Sequence, residues 1–274
     1  MNEPTNDLQV IEGTAVEVFE AQERAAVDIQ ISTAKKFPRN LKRVRDNSIT
    51  IVSMDQETAR SCRYAKPTGG KNVTGPSVHL ARIISQQYGN IRVQQRIKQI
   101  TQSTIIAEAV AFDLETNYAV SVEARRSIIG KNGRRFPDHL IETNAMAILA
   151  IAERNAILKV VPKAITDSVY NAAFNAANGD LSDEQQILKA RKKALDYFSE
   201  KHGATEDEVC RVLGLRSINQ IGKEEIADLR GYMQALKDGE ITPDELFGKK
   251  IEVPEDGKLE AKQVKEEPEL EMKS

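Results

Sequence analysis

The sequence predicts an α+β fold: an antiparallel sheet of three to four strands packed on long helices, followed by a small all-helical module. Two patterns carry this prediction. Three strand-like runs follow one another at short spacing between residues 91 and 125, and a long apolar helix follows them. Beyond residue 183 capping signatures start a series of helices that runs to about 237.

The first 36 residues hold an amphipathic helix over 14–36. Ala15, Val18, Phe19, Gln22, Ala26 and Ile29 recur at three- and four-residue intervals. Pro38 interrupts it and suits the first turn of a new helix, which Leu41, Val44, Ser48, Ile51 and Val52 continue. Residues 61–66 suggest a short strand, and Thr68 to Gly75 reads as a polar, Gly-rich loop. Pro76 to Tyr88 reads as a helix stopped by Gly89, with Leu80, Ala81, Ile84 and Tyr88 as its buried stripe.

The first strand run alternates Ile91, Val93 and Ile97 with Arg92, Gln94, Arg96 and Lys98, giving one apolar and one basic face. The second, Thr104 to Phe112, is mostly apolar and is expected to be buried on both sides. The third places Tyr118, Val120, Val122 and Ala124 on one face and Ser121, Glu123 and Arg125 on the other. Asp113 to Asn117 carries turn chemistry, so an antiparallel meander is the simplest arrangement. His139 to Val161 is a long helix, apolar over most of its circumference, which calls for wrapping by other elements or by neighbouring subunits.

Residues 171–183 are small and polar and read as a linker. Ser182 with Gln185 and Thr205 with Glu208 are capping-box pairs that start helices near 183–202 and 206–213, and a third runs over 223–237. Residues 249–274 are charged without periodicity, the pattern of a disordered tail. The expected division is a core over 1–170, the linker, a helical module over 184–248 and the tail.

Charge is unevenly spread. The net of −2 conceals a block, residues 31–160, with 21 Lys and Arg against ten acids, net +11. Residues 1–30 carry one Arg against seven acids, net −6. A basic core between acidic flanks is the footprint of a nucleic-acid binder. The strongest constellation in it is Arg125, Arg126, Lys131, Arg134 and Arg135, five cations within eleven residues, where Lys131, Asn132 and Gly133 place a tight turn. Such a loop can grip phosphates through charge and counterion release. Arg92, Arg96 and Lys98 can share a sheet face with Arg125, and Lys66 and Lys71 can extend the track. Arg154 and Lys159, with Asn155, either reach a bound strand or oligomer neighbour or form an exposed helix edge.

Other chemistries fit poorly. Gly69, Gly70 and Lys71 lack the earlier Gly and the following Ser or Thr of a phosphate loop. Asp113, Glu115, Glu123 and Asp138 show no nuclease spacing, and His79, His139 and His202 are widely separated. Cys62 and Cys210 match no zinc spacing, and so few cysteines suit a reducing compartment. No stretch approaches the ~18 apolar residues of a membrane span, and no signal peptide is evident. No catalytic centre, cofactor or metal is called for, and the expected address is the cytoplasm. Aromatics are 5% of the chain and Trp is absent, so base stacking has little to rest on.

The stretches GPSVHLARIISQQYGNIRV (75–93), AEAVAFDLETNYAVSVEARRSI (107–128) and GRRFPDHLIETNAMAILAIAERNAILKVVPKA (133–164) resemble bacteriophage recombination proteins of the broad Erf, RecT and Redβ class. The segment 211–247 is similar to a helical C-terminal module of phage proteins of this kind. The resemblance implies annealing of complementary single strands of DNA without nucleotide hydrolysis, and assembly into a ring or filament of identical subunits in the host bacterial cytoplasm. Helices 14–36 and 139–161 would then carry the assembly, with a phage or host replication or recombination protein as a further partner. Three competitors stand beside this reading: an adaptor acting through the helical module, a metal-dependent nuclease, and a duplex binder using residues 205–237.

Overall fold

A computed structural model describes residues 7–68, 71–130, 133–179, 181 and 183–248. The chain begins with a long helix, α1 (Asp7–Lys36), seven residues longer at its start than the periodicity predicts. Helix α2 (Leu41–Val52) follows, capped by the Asn40 side chain on the Arg43 amide at 2.9 Å, and buries Val44, Ser48 and Val52. A short α3 (Gln56–Ser61) leads into a hairpin of β1 (Arg63–Thr68) and β2 (Lys71–Pro76). The stretch expected to be loop therefore pairs as a strand from Lys71 onward. Polar residues there carry no apolar alternation that would mark a strand. A hairpin needs only one packed face, and Gly75 leaves room for the Tyr64 ring, which a Cβ there would meet at 3.1 Å.

Helix α4 (Val78–Tyr88) starts at the Ser77 cap and presents the predicted stripe of Leu80, Ala81, Ile84 and Tyr88 to the core. The meander β3 (Ile91–Ile100), β4 (Thr104–Asp113) and β5 (Tyr118–Ser127) forms a three-stranded antiparallel sheet in sequence order, as expected. Helix α5 (Asp138–Val160) lies across one face of it. Ala107, Ala109 and Ala111 of β4 meet Ile148, Ala152 and Ala156 of α5, and these small side chains let helix and sheet approach closely. Strand β4 is thus buried on one side only. Ile106, Val110 and Phe112, on the opposite side, are half-buried, because among the described residues that face meets no packed layer and only α1 reaches it, at the Arg92 end.

Helix α6 (Lys163–Ala177) continues after Pro162 and packs on α2 and α3. Most of the segment read as a linker is therefore helix. Its small residues are a packing surface, with Ala173 and Ala177 buried. Helices α7 (Glu184–His202), α8 (Glu206–Leu213), α9 (Lys223–Lys237) and α10 (Pro243–Phe247) complete the chain. The Thr205–Glu208 capping box is present as predicted. Ser182 lies outside the described residues, and the cap of α7 is Asp183, which accepts from the Gln186 amide at 2.8 Å. The tail over 249–274 also lies outside them.

The C-terminal helices close onto the core through β1. Ala65 of β1 is buried in one apolar cluster with Phe198, Ile226, Leu229, Tyr232 and Phe247. At the crossing, α9 offers Gly231, where a Cβ would lie 2.8 Å from the Ala65 Cβ. No described helix is long and apolar enough to cross a membrane.

Candidate nucleic-acid interface

Strand alternation sorts the predicted basic residues onto two faces. In β4, Glu108 is opposite Arg96 of β3 and Glu123 of β5, while Ile106 is opposite Arg125. Arg96, Glu108, Glu123 and Arg125 therefore share the uncovered face, opposite α5. Lys98, next to a bulge between Ile97 and Gln99, reaches Glu123 on the same side. The face carries a ladder of opposite charges. Arg96 donates from Nε and Nη2 to one Glu108 oxygen at 2.9 and 2.8 Å, and Ser121 donates to the other at 3.0 Å. Lys98 and Arg125 both meet Glu123, Arg125 at 3.4 Å.

The side chains of Arg96 and Arg125 remain 74% and 68% exposed. Exposed pairs of this kind hold each other weakly, so either cation can exchange its carboxylate for another anion at little cost. Hydrogen bonds from Arg96 and then Ser121 lower the Glu108 pKa, and those from Lys98 and then Arg125 lower that of Glu123. Three cations against two carboxylates leave the face only mildly positive. A shallow depression of about 410 Å³, lined by Gln94, Gln95, Arg96, Glu108 and Val110, lies on this sheet.

The basic loop after β5 folds back on the sheet. Gly130 and Arg134 are joined by a backbone hydrogen bond of 2.8 Å, and Gly133 sits at φ +74°, a left-handed value that favours glycine. Arg135 donates to the carbonyls of Thr101 and Gln102 at 2.9 and 3.2 Å, which ties the loop to the β3–β4 turn. Arg134 and Arg135 are both exposed there. Lys131 lies outside the described residues.

Arg92, opposite Phe112, shares the uncovered face at its far end, where Glu23 at 2.8 Å and Gln30 at 3.2 Å, both on α1, hold it. Three predicted residues sit elsewhere. Lys66 is exposed on β1 and Lys71 opens β2, in a sheet separate from the meander. Lys159 is exposed near the end of α5, remote in sequence from the basic strands.

Two more leave the candidate set altogether. Arg126, adjacent to Arg125, points to the opposite face, is 12% exposed, and donates to the Gly239 carbonyl at 2.5 Å with Glu245 at 3.6 Å. Arg154 is 8% exposed, donates to both oxygens of Glu240 at 2.6 and 2.8 Å, and lies over the Tyr64 ring at 4.4 Å. Both clamp the C-terminal helices to the core. Their anionic and carbonyl partners lie more than 80 residues away, so local spacing could not reveal them.

The remaining chemistry-bearing residues have structural partners. Asp113 and Glu115 accept from Arg39, whose guanidinium also stacks 3.8 Å over Tyr88. Burial alone would raise the Asp113 carboxyl, but hydrogen bonds from Arg39, Thr116 and the Glu115 amide, with the Arg39 charge, together outweigh it and hold it at about 2. His79 meets Asp238 at 3.0 Å, while His202 packs against the rings of Tyr197 and Phe198. Cys62 and Cys210 are free and buried, and burial pushes the Cys62 thiol up to about 12.

One basic group escaped the sequence reading. From Lys35 to Arg45 six cations fall in eleven residues, with no acid between Asp28 and Asp46. This run is denser than the one singled out after β5. Its signal was a plain charge count, masked because the same residues read so clearly as helix. No protein-family model, curated protein or solved structure matches this chain.

Proposed function

We propose that the protein binds single-stranded DNA along the uncovered face of β3–β4–β5 and anneals complementary strands without nucleotide hydrolysis. The observation that carries the reading is the placement of Arg96, Lys98 and Arg125 on one open sheet face, with Arg134 and Arg135 at its end. Arginine at such a face engages phosphate through paired N–H donors. Phosphate contacts orient a strand without reading its sequence, which leaves base edges available to a second strand. The carboxylates Glu108 and Glu123 then act as placeholders that each phosphate displaces, a feature suited to reversible holding. Resemblance of residues 75–164 to phage annealing proteins supports the same reading, including self-assembly into a ring or filament in a bacterial cytoplasm.

The test is annealing of two complementary labelled oligonucleotides over a salt series, without nucleotide. The wild-type chain is expected to accelerate annealing, with the effect fading as salt rises. Arg96→Glu with Arg125→Glu should lower the log–log salt slope of single-strand binding by about 1.4, two contacts at ~0.7 each. Glu123→Gln should act in the opposite direction and tighten binding. Unchanged affinity and slope in the double arginine variant would remove the face from consideration.

A further inference from the structure

The corner where α1 meets α2 concentrates charge that the sheet face disperses. Of its six cations, Arg39 alone is buried, and it has a structural task. Its bonds to Asp113 and to the Asn90 carbonyl fix the corner against the end of β4 and the start of β3. Lys35, Lys36, Lys42, Arg43 and Arg45 are all exposed. Arg45 pairs with its neighbour Asp46 at 2.8 Å. Among the described residues the other four form no ion pair. Arg43 borders a depression of about 310 Å³ whose lining also includes Asn40, Asn47 and Gln87, whose amide N–H groups can donate to a phosphate. The N-terminal end of α2 adds its partial positive charge at Leu41 to Arg43.

A solvated basic turn is the plain account of such residues. It leaves unexplained why, among the described residues, four cations stand without a carboxylate here, when Arg92, Arg96, Lys98 and Arg125 of the sheet face each have one. Like charges this close repel, and the structure tolerates that repulsion where an anion would relieve it. The corner adjoins the end of the uncovered face. Arg92, four residues along β3 from Arg96 and on the same face, about 14 Å away at ~3.4 Å per residue, is held by Glu23 and Gln30 of α1, the helix that ends at Lys35 and Lys36.

We infer that the α1–α2 corner is a second anchor for the phosphodiester backbone of single-stranded DNA, engaging through Lys35, Lys36, Lys42 and Arg43 the strand that crosses the sheet. The identity of the ligand rests on the functional reading above; the site itself does not include any residue of that face. Two anchors at opposite ends hold a strand extended between them, with the weakly positive ladder in the middle.

The experiment is fluorescence anisotropy of a labelled thirty-nucleotide oligo-dT with the full chain, from 50 to 300 mM salt. Three proteins are compared: wild type, a corner variant (Lys35→Gln, Lys36→Gln, Lys42→Gln, Arg43→Gln) and a face variant (Arg96→Gln, Arg125→Gln). The substituted side chains are exposed and the Asn40 cap is untouched, so thermal melts should superimpose on wild type. A corner variant containing only Lys35→Gln and Lys36→Gln serves if the fourfold one melts early. The fourfold variant should lose about 2.8 from the salt slope, four contacts at ~0.7 each, and the twofold one about half of that. A weakened corner variant beside an unchanged face variant supports the corner and overturns the face. A weakened face variant beside unchanged corner variants overturns the corner and leaves the face standing. Absence of wild-type binding at 50 mM salt overturns both.

Discussion

The outer face of the β3–β4–β5 sheet and the seam between core and C-terminal helices carry the same side chain in opposite settings. On the face, Arg125 sits in water beside a carboxylate that it holds loosely at 3.4 Å. In the seam, Arg126 and Arg154 are largely withdrawn from solvent, and Arg154 makes two short bonds to one buried carboxylate. The physical consequence differs in kind. An exposed pair contributes little to stability and can exchange partners, whereas a buried charge that loses its partner is left without solvation. Charge counting along the chain treats all three arginines alike. Exposure divides them into those available to a ligand and those that assemble the fold.

The largest effect that would break this comparison lies at Arg154. Arg154→Ala strands the Glu240 carboxylate and should lower stability by about 3–5 kcal/mol in urea denaturation. Arg125→Ala should change it by no more than ~0.5 kcal/mol. Replacing both seam partners, Arg154→Met with Glu240→Leu, should recover much of the loss, because the cost lies in the unpaired charge. Comparable losses at Arg125 and Arg154 would erase the distinction between face and seam.

A middle-sized effect tests how closely the seam is packed. Gly231→Ala drives a methyl to 2.8 Å from the Ala65 Cβ and 3.0 Å from the Ala65 amide nitrogen. Neither is the tip of a flexible side chain, so α9 must shift away from β1, at about 1–3 kcal/mol. A lowered melting temperature is expected, and an unchanged one would show that the helix rides more loosely than the seam requires.

The smallest effect concerns pH. The hydrogen bond that His79 donates to Asp238 raises the His79 pKa, against burial that lowers it; Arg82 opposes and Glu240 assists. A histidine whose folded value is raised stabilises fully below its unfolded value of ~6.5 and loses that contribution as pH rises through the folded value. The stability difference between wild type and His79→Gln should therefore be greatest near pH 5–6 and shrink at higher pH. A difference that grew with pH would mean that His79 docks the C-terminal helices in its neutral form.

Much of this architecture was legible because it is local. The 3.6-residue spacing of Leu80, Ala81, Ile84 and Tyr88, the period-two alternation of Tyr118 to Arg125, and the Thr205–Glu208 cap each depend on residues within a few positions of one another. The same local rule already separated Arg125 from Arg126, since consecutive strand residues face opposite ways. Grouping them by sequence proximity overrode it. The β1–β2 hairpin and α6 were misread for a different reason: polar and small residues lack a periodic signature of their own, and the packing against α9, α2 and α3 supplies the structure.

By itself, then, the sequence determined the order and type of most elements, the basic character of residues 31–160, and the alternation that gives the sheet a charged face. The tertiary structure alone decided which of those charges meet solvent. Glu240 finds Arg154 across 86 residues, Asp113 finds Arg39 across 74, and Gly239 receives Arg126 across 113. Pairings at that separation follow from how helices and sheets pack, because the chain between them can close such loops at an entropic cost that grows only with the logarithm of its length.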